Sequence, residues 1–197
     1  MKVHIVDDDE AIRDSLTWLL SSRGLEAEAH PSAEAFLARQ EPAAGCLVLD
    51  IRMEGMSGLD LFDRIRDRGC RLPVIFLTGH GDVPIAVQAL KKGAFDFVEK
   101  PFNDNDLVDK VIEALAQDAR RRARQAGADS LAARLASLSE RERQVMDLIL
   151  EGRMNKVIAD RLGISMRTVE VHRAHVFEKM GVKTAVELAR LMVAMKG

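Results

Sequence analysis

The sequence predicts an α/β domain followed by an all-α domain within a chain of 197 residues. Short apolar runs alternate with helical patterns five times over residues 1–118, which is typical of a doubly wound parallel sheet. Beyond them the patterns are helical only. The formal charge changes sign as well, from −9 over residues 1–118 to +7 over residues 119–197. Such asymmetry indicates two domains with different partners, and the basic half is either a nucleic-acid surface or a solvated face.

Five apolar runs predict the strands of a (βα)5 domain, at residues 3–6, 25–30, 47–49, 74–77 and 95–98. The second is the weakest, so we expect it at an edge of the sheet. The third is continuously apolar, as expected when helices cover both faces. A helical pattern follows each run, and the residues that start these helices include Ser32, Asp82 before Pro84, and either Asn103 or Asp104.

Residues 119–136 predict a helical connector, because alanine and arginine are good helix formers. We expect the preceding helix to continue into this segment, with Gly127 as the position where it could break. The connector is rich in arginine, at positions 120, 121, 122 and 124. We interpret this cluster as a solvated face in preference to a phosphate contact.

Residues 137–197 predict a four-helix domain. Ser139 and Glu142 form a capping box, Asn155 and Ser165 are expected caps of the next two helices, and Thr184 starts the last. Two short helices meet at Gly163, and the second opens with Ser-Met-Arg-Thr. This arrangement is typical of a helix-turn-helix.

Polar side chains follow four of the predicted strands. Asp7 and Asp8 follow the first, Asp50 the third, Thr78 the fourth and Lys100 the fifth. In an open parallel sheet the carboxyl ends of the strands form the ligand-binding edge. Carboxylates that share a pocket need a counter-charge, and Mg²⁺ is the cation that suits oxygen ligands. The sequence therefore predicts a site for Mg²⁺ and a phosphoryl group, with Asp50 as nucleophile. Taken alone, the acids at 7–10 could equally be helix caps.

The composition predicts no membrane partner and a cytoplasmic location. No apolar stretch reaches the roughly 18 residues that a membrane span needs, and no basic-then-apolar leader precedes the first strand. Cys46 and Cys70 lack metal-ligand spacing, and a disulfide framework is not expected from two cysteines.

The segments at these strand ends resemble a two-component receiver domain. They are residues 6–10, 47–53, 56–58, 77–82, 93–97 and 99–101. The run Thr-Gly-His-Gly-Asp-Val-Pro at 78–84 is similar to the FixJ subgroup of the FixJ/NarL family. The resemblance implies that Asp50 is the phosphoacceptor. It implies that Mg²⁺ binds Asp7, Asp8, Asp50 and the backbone carbonyl of Arg52, and that the residues reading the phosphoryl group are Thr78, Phe97 and Lys100.

Three positions carry alternatives. Phe97 matches the aromatic switch position of the family, but alone it could be an ordinary core aromatic. Asp9 matches no metal ligand, so we interpret it as a helix cap. Glu54 stands where the family usually has proline. It could soften the loop, repel the phosphate of the donor or point into water, and we favour the last.

Residues 138–180 resemble the LuxR-type DNA-binding domain, with matching segments at 138–142, 155–159, 162–165 and 168–173. The helix from Ser165 would then lie in the major groove. The residues expected to face bases are Arg167, Glu170, Val171 and Ala174. Those expected to meet phosphates are Lys156, Thr168, His172 and Arg173, although Arg167 could also be a phosphate contact and His172 a packing residue.

Together the two resemblances imply a DNA-binding response regulator that a sensor histidine kinase phosphorylates on Asp50. Phosphorylation would promote a homodimer that binds promoter DNA and recruits RNA polymerase, and residues 183–195 could add a second dimer contact. One alternative is a regulator whose receiver serves only protein–protein interaction, without phosphorylation. Another is a phosphatase, but haloacid-type phosphatases need an aspartate two residues after the nucleophile, where this chain has Arg52.

Overall fold

The structure, a computed structural model, describes residues 1–39, 44–79 and 83–194. The chain divides into two compact units, Met1–Arg122 and Ala123–Gly197. Each unit has its own hydrophobic core.

The first unit is built on a five-stranded parallel sheet with the order β2-β1-β3-β4-β5. Its strands are β1 (Lys2–Val6), β2 (Glu26–His30), β3 (Gly45–Asp50), β4 (Val74–Thr78) and β5 (Asp96–Glu99). The strand predicted to lie at an edge, β2, does so. The chain passes from β1 to β2 on one side, and then to β3, β4 and β5 on the other side of β1. This is the arrangement of a doubly wound sheet, so the predicted fold class of this unit is confirmed.

Five helices cover the two faces of this sheet. They are α1 (Glu10–Ser22), α2 (Ala33–Leu37), α3 (Gly58–Asp67), α4 (Val83–Lys91) and α5 (Asp104–Ala136). Buried residues of α1 and α5 join one core, and those of α2, α3 and α4 join the core on the opposite face. Side chains cap four of these helices, because Asp9, Ser32, Ser57 and Asn103 accept hydrogen bonds from amides of α1, α2, α3 and α5. The predicted start at Asp82 lies outside the described residues.

Helix α5 runs without a break through Gly127 into the second unit. Within the first unit its Asp118 is buried, with 1% of its surface exposed. The carboxylate accepts hydrogen bonds from the backbone N–H of Gly45, at 3.1 Å, and from the guanidinium groups of Arg121 and Arg122. Burial would raise the pKa of Asp118, but these three donors outweigh it and lower the pKa. Two arginines of the predicted solvated cluster therefore bind a buried acid.

A pair of buried histidines lies between β1, β2 and α2. The Nδ1 atom of His4 is 3.2 Å from the Nε2 atom of His30, and the ring of Phe36 packs edge-on against both. Burial lowers the pKa of His4 to about 4, helped by the nearby charges of His30, Lys2 and Arg39. Burial also lowers the pKa of His30. Both rings are therefore held in their neutral form near neutral pH.

The second unit packs the end of α5 against four helices, α6 (Glu140–Leu150), α7 (Asn155–Leu162), α8 (Met166–Met180) and α9 (Ala185–Ala194). Gly163 ends α7 in the left-handed conformation, with φ of 64°, and Ser165 caps α8. The predicted helix-turn-helix is thus confirmed. The prediction that Asn155 caps α7 is wrong, because the cap position is Met154, whose side chain makes no capping hydrogen bond.

A buried glutamate holds α6 to α8. Glu142 forms the predicted capping box with Ser139, and its carboxylate also accepts a hydrogen bond from the ammonium of Lys179 at 2.6 Å. These contacts lower the pKa of Glu142 to about 2, with Lys179 contributing most. His175 lies 3.6 Å from the same carboxylate.

Among the described residues, no helix combines the length and the apolar character needed to cross a lipid bilayer.

Candidate functional site

The polar residues predicted at the carboxyl edge of the sheet do come together there. Asp7 directly follows β1, Asp50 ends β3, and Thr78 ends β4 beside them. Asp7, Asp50 and Lys100 line one cavity of about 280 Å³, together with Asp8, Asp9, Ile12, Arg52 and Gly79. The strand register is responsible, because β1, β3 and β4 are neighbours whose last residues lie at the same edge.

Lys100 bridges two carboxylates across this cavity. Its Nζ atom is 2.7 Å from Oδ1 of Asp50 and 2.9 Å from Oδ2 of Asp7. Burial alone would lower the pKa of Lys100, but its contacts with Asp50 and Asp7 outweigh it and raise the pKa. Lysine at this position therefore stays charged.

Burial raises the pKa of Asp50, and the neighbouring charge of Asp7 adds to this effect. The hydrogen bonds from Lys100 and from the backbone N–H of Arg52 oppose it without cancelling it. A more basic carboxylate is a better nucleophile, and this one faces an open cavity.

Glycine at position 58 is required by the close approach of the chain to Asp50. A Cβ atom there would lie 2.0 Å from the backbone oxygen of Asp50, which no side chain can tolerate. The contact fixes the start of α3 against the end of β3, and the N–H of Gly58 donates to the carbonyl of Ile51 at 3.0 Å.

The donor set suits Mg²⁺. Among residues 1–39, 44–79 and 83–194, no three carboxylate, imidazole or thiol groups are gathered closely enough to hold a metal ion between them. Lys100 occupies the space between Asp7 and Asp50, and Asp8, which lines the same cavity, accepts a hydrogen bond from the N–H of Glu54 at 2.8 Å. Mg²⁺ needs no such cluster, because it keeps several waters and is usually bound through one or two carboxylates and phosphate oxygens. Hard oxygen donors around a cavity of about 280 Å³, which has room for several waters, fit that requirement.

Thr78 ends β4 at the same edge, and Phe97 lies in the neighbouring strand β5. The side chain of Thr78 is fully buried, and its hydroxyl has no hydrogen-bond partner within the part of the chain that the structure describes. A buried hydroxyl without a partner is costly, so this one is suited to a bound acceptor such as a phosphoryl oxygen. Phe97 pairs with Phe76 in the sheet and packs half-buried against the core under α2, α3 and α4.

The second unit presents the predicted base-facing residues together. Arg167, Glu170, Val171 and Ala174 recur at the spacing of one helical face, and all four are exposed. On the opposite face Val169, Val176 and Met180 are buried in the core. Helix α8 is therefore amphipathic, with its polar face available to a groove of DNA.

The residues predicted to meet phosphates differ from one another in exposure and in contacts. Lys156 is exposed on α7, and the guanidinium of Arg173 lies 5.4 Å from the ring of Phe177. The hydroxyl of Thr168 is 2.8 Å from that of Ser165. The Nδ1 atom of His172 is buried without a hydrogen-bond partner among the described residues, so only the other side of this ring can meet a ligand.

We call the carboxyl edge of the sheet, with Asp7, Asp50, Thr78 and Lys100, the acceptor edge. An α/β sheet with this edge, joined to an exposed helix-turn-helix, defines the class of DNA-binding response regulators. Residues 3–112 match the response regulator receiver domain, and residues 136–192 match the bacterial regulatory proteins of the luxR family. The chain belongs to the response regulators of the FixJ/NarL family, within the FixJ subgroup. It is a two-component transcriptional regulator, and the pairing of its domains implies a sensor kinase and promoter DNA as partners.

Several relatives match nearly the full chain. The C4-dicarboxylate transport transcriptional regulatory protein DctR of Rhodobacter capsulatus is 56% identical over 96% of this chain and 98% of its own length. FixJ of Azorhizobium caulinodans is 47% identical, over 97% of this chain and 91% of that protein. Among solved structures, response regulator StyR covers 98% of both chains with a TM-score of 0.93 and 41% identity. Full-length FixJ from B. japonicum has a TM-score of 0.62 and 44% identity, and the match covers 99% of this chain and 97% of that one.

Sequence reasoning missed several residues around the site. The side chain of Arg13 donates to the backbone carbonyl of Asp7 at 2.8 Å, and Glu34 on α2 accepts from the N–H of Met56 at 3.2 Å. Both contacts join residues of different elements, and neither leaves a local pattern in the sequence. For Glu54 the favoured interpretation concerned only its side chain, which is exposed, whereas the contact to Asp8 is made by its backbone.

Proposed function

We propose that Asp50 is the phosphoacceptor of this regulator and that a sensor histidine kinase is the donor. The carboxylate oxygen attacks the phosphorus atom, an acyl phosphate forms, and the imidazole of the kinase leaves. The main support is the position of Lys100, which lies within hydrogen-bond distance of both Asp50 and Asp7 and neutralises charge at the acceptor. The protein retains the phosphoryl group as a signal, so it is not a turnover enzyme.

Mg²⁺ would be held by Asp7, Asp8, Asp50 and the backbone carbonyl of Arg52. When bound, it supplies positive charge that stabilises the transferring phosphoryl oxygens. The carboxylates that line the cavity support this assignment through the chemistry of their oxygens. Lys100 would contribute a second positive charge beside the acceptor.

The phosphoryl group would be read by Thr78, Phe97 and Lys100. Phosphorylation adds a charge of about −1.5 to −2 and three acceptor oxygens. The unpartnered hydroxyl of Thr78 gains an acceptor, and its movement makes room for Phe97 to turn inward. The half-buried state of Phe97 supports a ring that can move without opening the core.

The DNA contacts proposed for α7 and α8 are of two kinds. Arg167, Glu170, Val171 and Ala174 face bases, since they share the exposed face of α8. The residues that meet phosphates are Lys156, Thr168, His172 and Arg173. One such module contacts few base pairs, so two copies, paired after phosphorylation, would bind a pseudo-palindromic promoter and recruit RNA polymerase. This function requires a cytoplasmic protein, because promoter DNA lies in the cytoplasm.

Replacement of the acceptor tests the proposal. Asp50→Asn should abolish the gain of mass that acetyl phosphate and Mg²⁺ produce in the intact protein, and with it any phosphate-dependent gain in DNA affinity. Asp63→Asn, at a half-exposed acid of α3, is the matched control and should be labelled as the wild type is. Labelling that survives in Asp50→Asn would point to another acceptor. Steady hydrolysis of a phosphate ester by the wild type would instead favour a phosphatase.

A further inference from the structure

The loop between β3 and α3 is attached to three carboxylates through alternate backbone amides. We call residues 52–56 the acceptor loop. The N–H of Arg52 donates to Oδ2 of Asp50 at 2.8 Å, and that of Glu54 donates to Oδ2 of Asp8 at 2.8 Å. The N–H of Met56 donates to Oε1 of Glu34 at 3.2 Å. The three acids come from β3, from the turn after β1 and from α2, so the loop is tied to three separate segments of the first unit.

The middle attachment depends on the residue type at position 54. A proline at this position would have no backbone N–H to donate. Glu54 supplies that donor, and it donates to an acid proposed as a Mg²⁺ ligand. The side chain of Glu54 is exposed and makes no hydrogen bond or ion pair with the described residues, so its backbone alone forms the contact.

A carboxylate that accepts one hydrogen bond still has oxygen sites for a metal. Each carboxylate offers about four acceptor positions on its two oxygens, so the bond at Oδ2 leaves Oδ1 of Asp8 available. Hydrogen bonds to the ligands of a metal orient those ligands, and their loss typically weakens metal binding by about 10- to 100-fold. Asp8 is exposed, so without such a donor its side chain would sample several orientations.

The far end of the acceptor loop is anchored by Glu34. Gly55, between the two attached amides, has φ of 76°, a conformation that favours glycine, and a Cβ atom there would lie 3.3 Å from Oε1 of Glu34. Several contacts lower the pKa of Glu34, among them hydrogen bonds from its own backbone N–H, from Ser32 and from Met56. The carboxylate is therefore charged at neutral pH and strengthens its bond to the loop.

From these contacts we infer that the backbone N–H of Glu54 positions Asp8 for Mg²⁺, within a loop that Glu34 holds in place. The inference rests on the proposed function, because it assumes Mg²⁺ at the acceptor site. A chain with proline at position 54 could not make the hydrogen bond to Asp8.

Two substitutions at position 54 separate the backbone from the side chain. Glu54→Pro removes the N–H, whereas Glu54→Ala keeps it and removes only the exposed carboxylate. By isothermal titration of the full-length protein with MgCl₂, we expect the Kd of Glu54→Pro to rise about tenfold, while that of Glu54→Ala stays within about twofold of the wild type. Equal affinities in the two variants, or tighter binding by Glu54→Pro, would overturn the inference.

A second measurement covers the case in which Glu54→Pro distorts the loop. In the amide NMR spectrum of the metal-free protein, Asp8→Ala should move the Glu54 amide proton upfield and leave that of Met56 in place. Glu34→Ala should move the Met56 amide proton, and Glu34→Gln, which keeps an acceptor oxygen, should move it less. A Glu54 amide that does not respond to Asp8→Ala overturns the inference as well.

The same samples separate this inference from the proposed function. Wild-type protein is treated with acetyl phosphate, and its Asp50 is assayed for label. If Asp50 is labelled and the two position-54 variants bind Mg²⁺ alike, only the positioning role fails. If the wild type neither binds Mg²⁺ nor accepts the phosphoryl group, both fail.

Discussion

The acceptor edge of the first unit and the exposed face of α8 use their charges in opposite ways. At the acceptor edge Lys100 is already bonded to Asp7 and Asp50. On the second unit, Lys156, Arg167 and Glu170 make no hydrogen bond or ion pair with any described residue. A site whose charges are neutralised internally must exchange contacts when it takes up a small anion or cation. A surface of unpaired charges gains contacts when it meets a polyanion, so it should respond mainly to salt.

The two units also differ in their response to acid. The first contains two buried histidines whose pKa values are lowered, and the second contains a buried glutamate whose pKa is lowered. Acid protonates the histidines of the unfolded first unit below pH 6.5, whereas the folded unit holds His4 neutral down to about pH 4. The corresponding interval for Glu142 of the second unit is lower, from pH 4.5 to about 2. The first unit should therefore lose stability at a higher pH than the second.

The largest effect is expected at Lys100. Lys100→Ala leaves Asp7 and Asp50 buried beside each other without a cation, which should lower the free energy of unfolding of the first unit by about 3 kcal/mol. Added Mg²⁺ should restore much of this loss, because it replaces the missing charge. The measurement is urea unfolding followed by hydrogen exchange of peptides from β1 and β3.

The control for Lys100 is Lys92→Ala. Lys92 is bonded to Asp63 at 2.6 Å, but about half of each side chain is exposed, 56% and 49%, so the loss should stay below about 1 kcal/mol. Similar losses in the two variants would show that the charges at the acceptor edge are not coupled as the distances indicate.

The second effect is the acid sensitivity of the histidine pair. The pKa of His4 is lowered from 6.5 to about 4 on folding, so its stabilising effect is complete above pH 6.5 and disappears as the pH falls towards 4. At pH 5 the first unit should have lost about 2 kcal/mol relative to neutral pH. Calorimetric unfolding of wild type and His4→Gln at both pH values measures this.

In His4→Gln the pH dependence between 6.5 and 4 should shrink. His175→Gln, which replaces a half-exposed histidine of the second unit, should leave the transition of the first unit unchanged. A wild-type first unit that is equally stable at pH 7 and pH 5 would contradict a neutral, buried His4.

The third effect concerns Glu142. Glu142→Gln removes the charge that binds Lys179 and weakens the capping box, so the second unit should lose at least about 1 kcal/mol at neutral pH. The contribution of the ionised carboxylate exists above pH 4.5 and is lost as the pH falls towards 2, so wild type and variant should converge over that interval. Calorimetry of the second unit's transition follows the difference.

Glu140→Gln is the matched control for Glu142→Gln. Glu140 lies in the same first turn of α6, but it is exposed and bonds to no side chain among the described residues. A loss as large in Glu140→Gln would assign the effect to the helix dipole, with no special part for the contact with Lys179.

The smallest effect in free energy is expected on DNA binding. Lys156→Ala and Arg173→Ala should each weaken binding to a random-sequence duplex a few-fold and lower the slope of log affinity against log salt by about 1. Arg190→Ala, at an exposed position of α9, is the control. Fluorescence anisotropy at several salt concentrations gives the slopes, and an unchanged slope would show that the substituted side chain does not touch phosphate.

The sequence predicted the strands and the acceptor edge well, because apolar runs and the residues that end them are local patterns. In a parallel sheet that local order is enough to bring Asp50, Asp7 and Lys100 to one edge. The roles of these residues and the boundaries of the two domains remain predictions. Contacts between distant segments could not be predicted from the sequence, among them Glu34 with Met56 and His4 with His30. They depend on tertiary packing and on which rotamer each side chain adopts.

The buried acid of α5 decides where the first unit can be cut from the rest. Asp118 lies beyond the segment that matches the receiver family, residues 3–112, and its two guanidinium partners lie further on, at Arg121 and Arg122. A fragment that stops at residue 118 would keep the Asp118 carboxylate beside Gly45, at the start of β3, but would lack both guanidinium groups. Truncation after Arg122 keeps Asp118 together with both guanidinium groups, so we expect a fragment of residues 1–122 to remain folded.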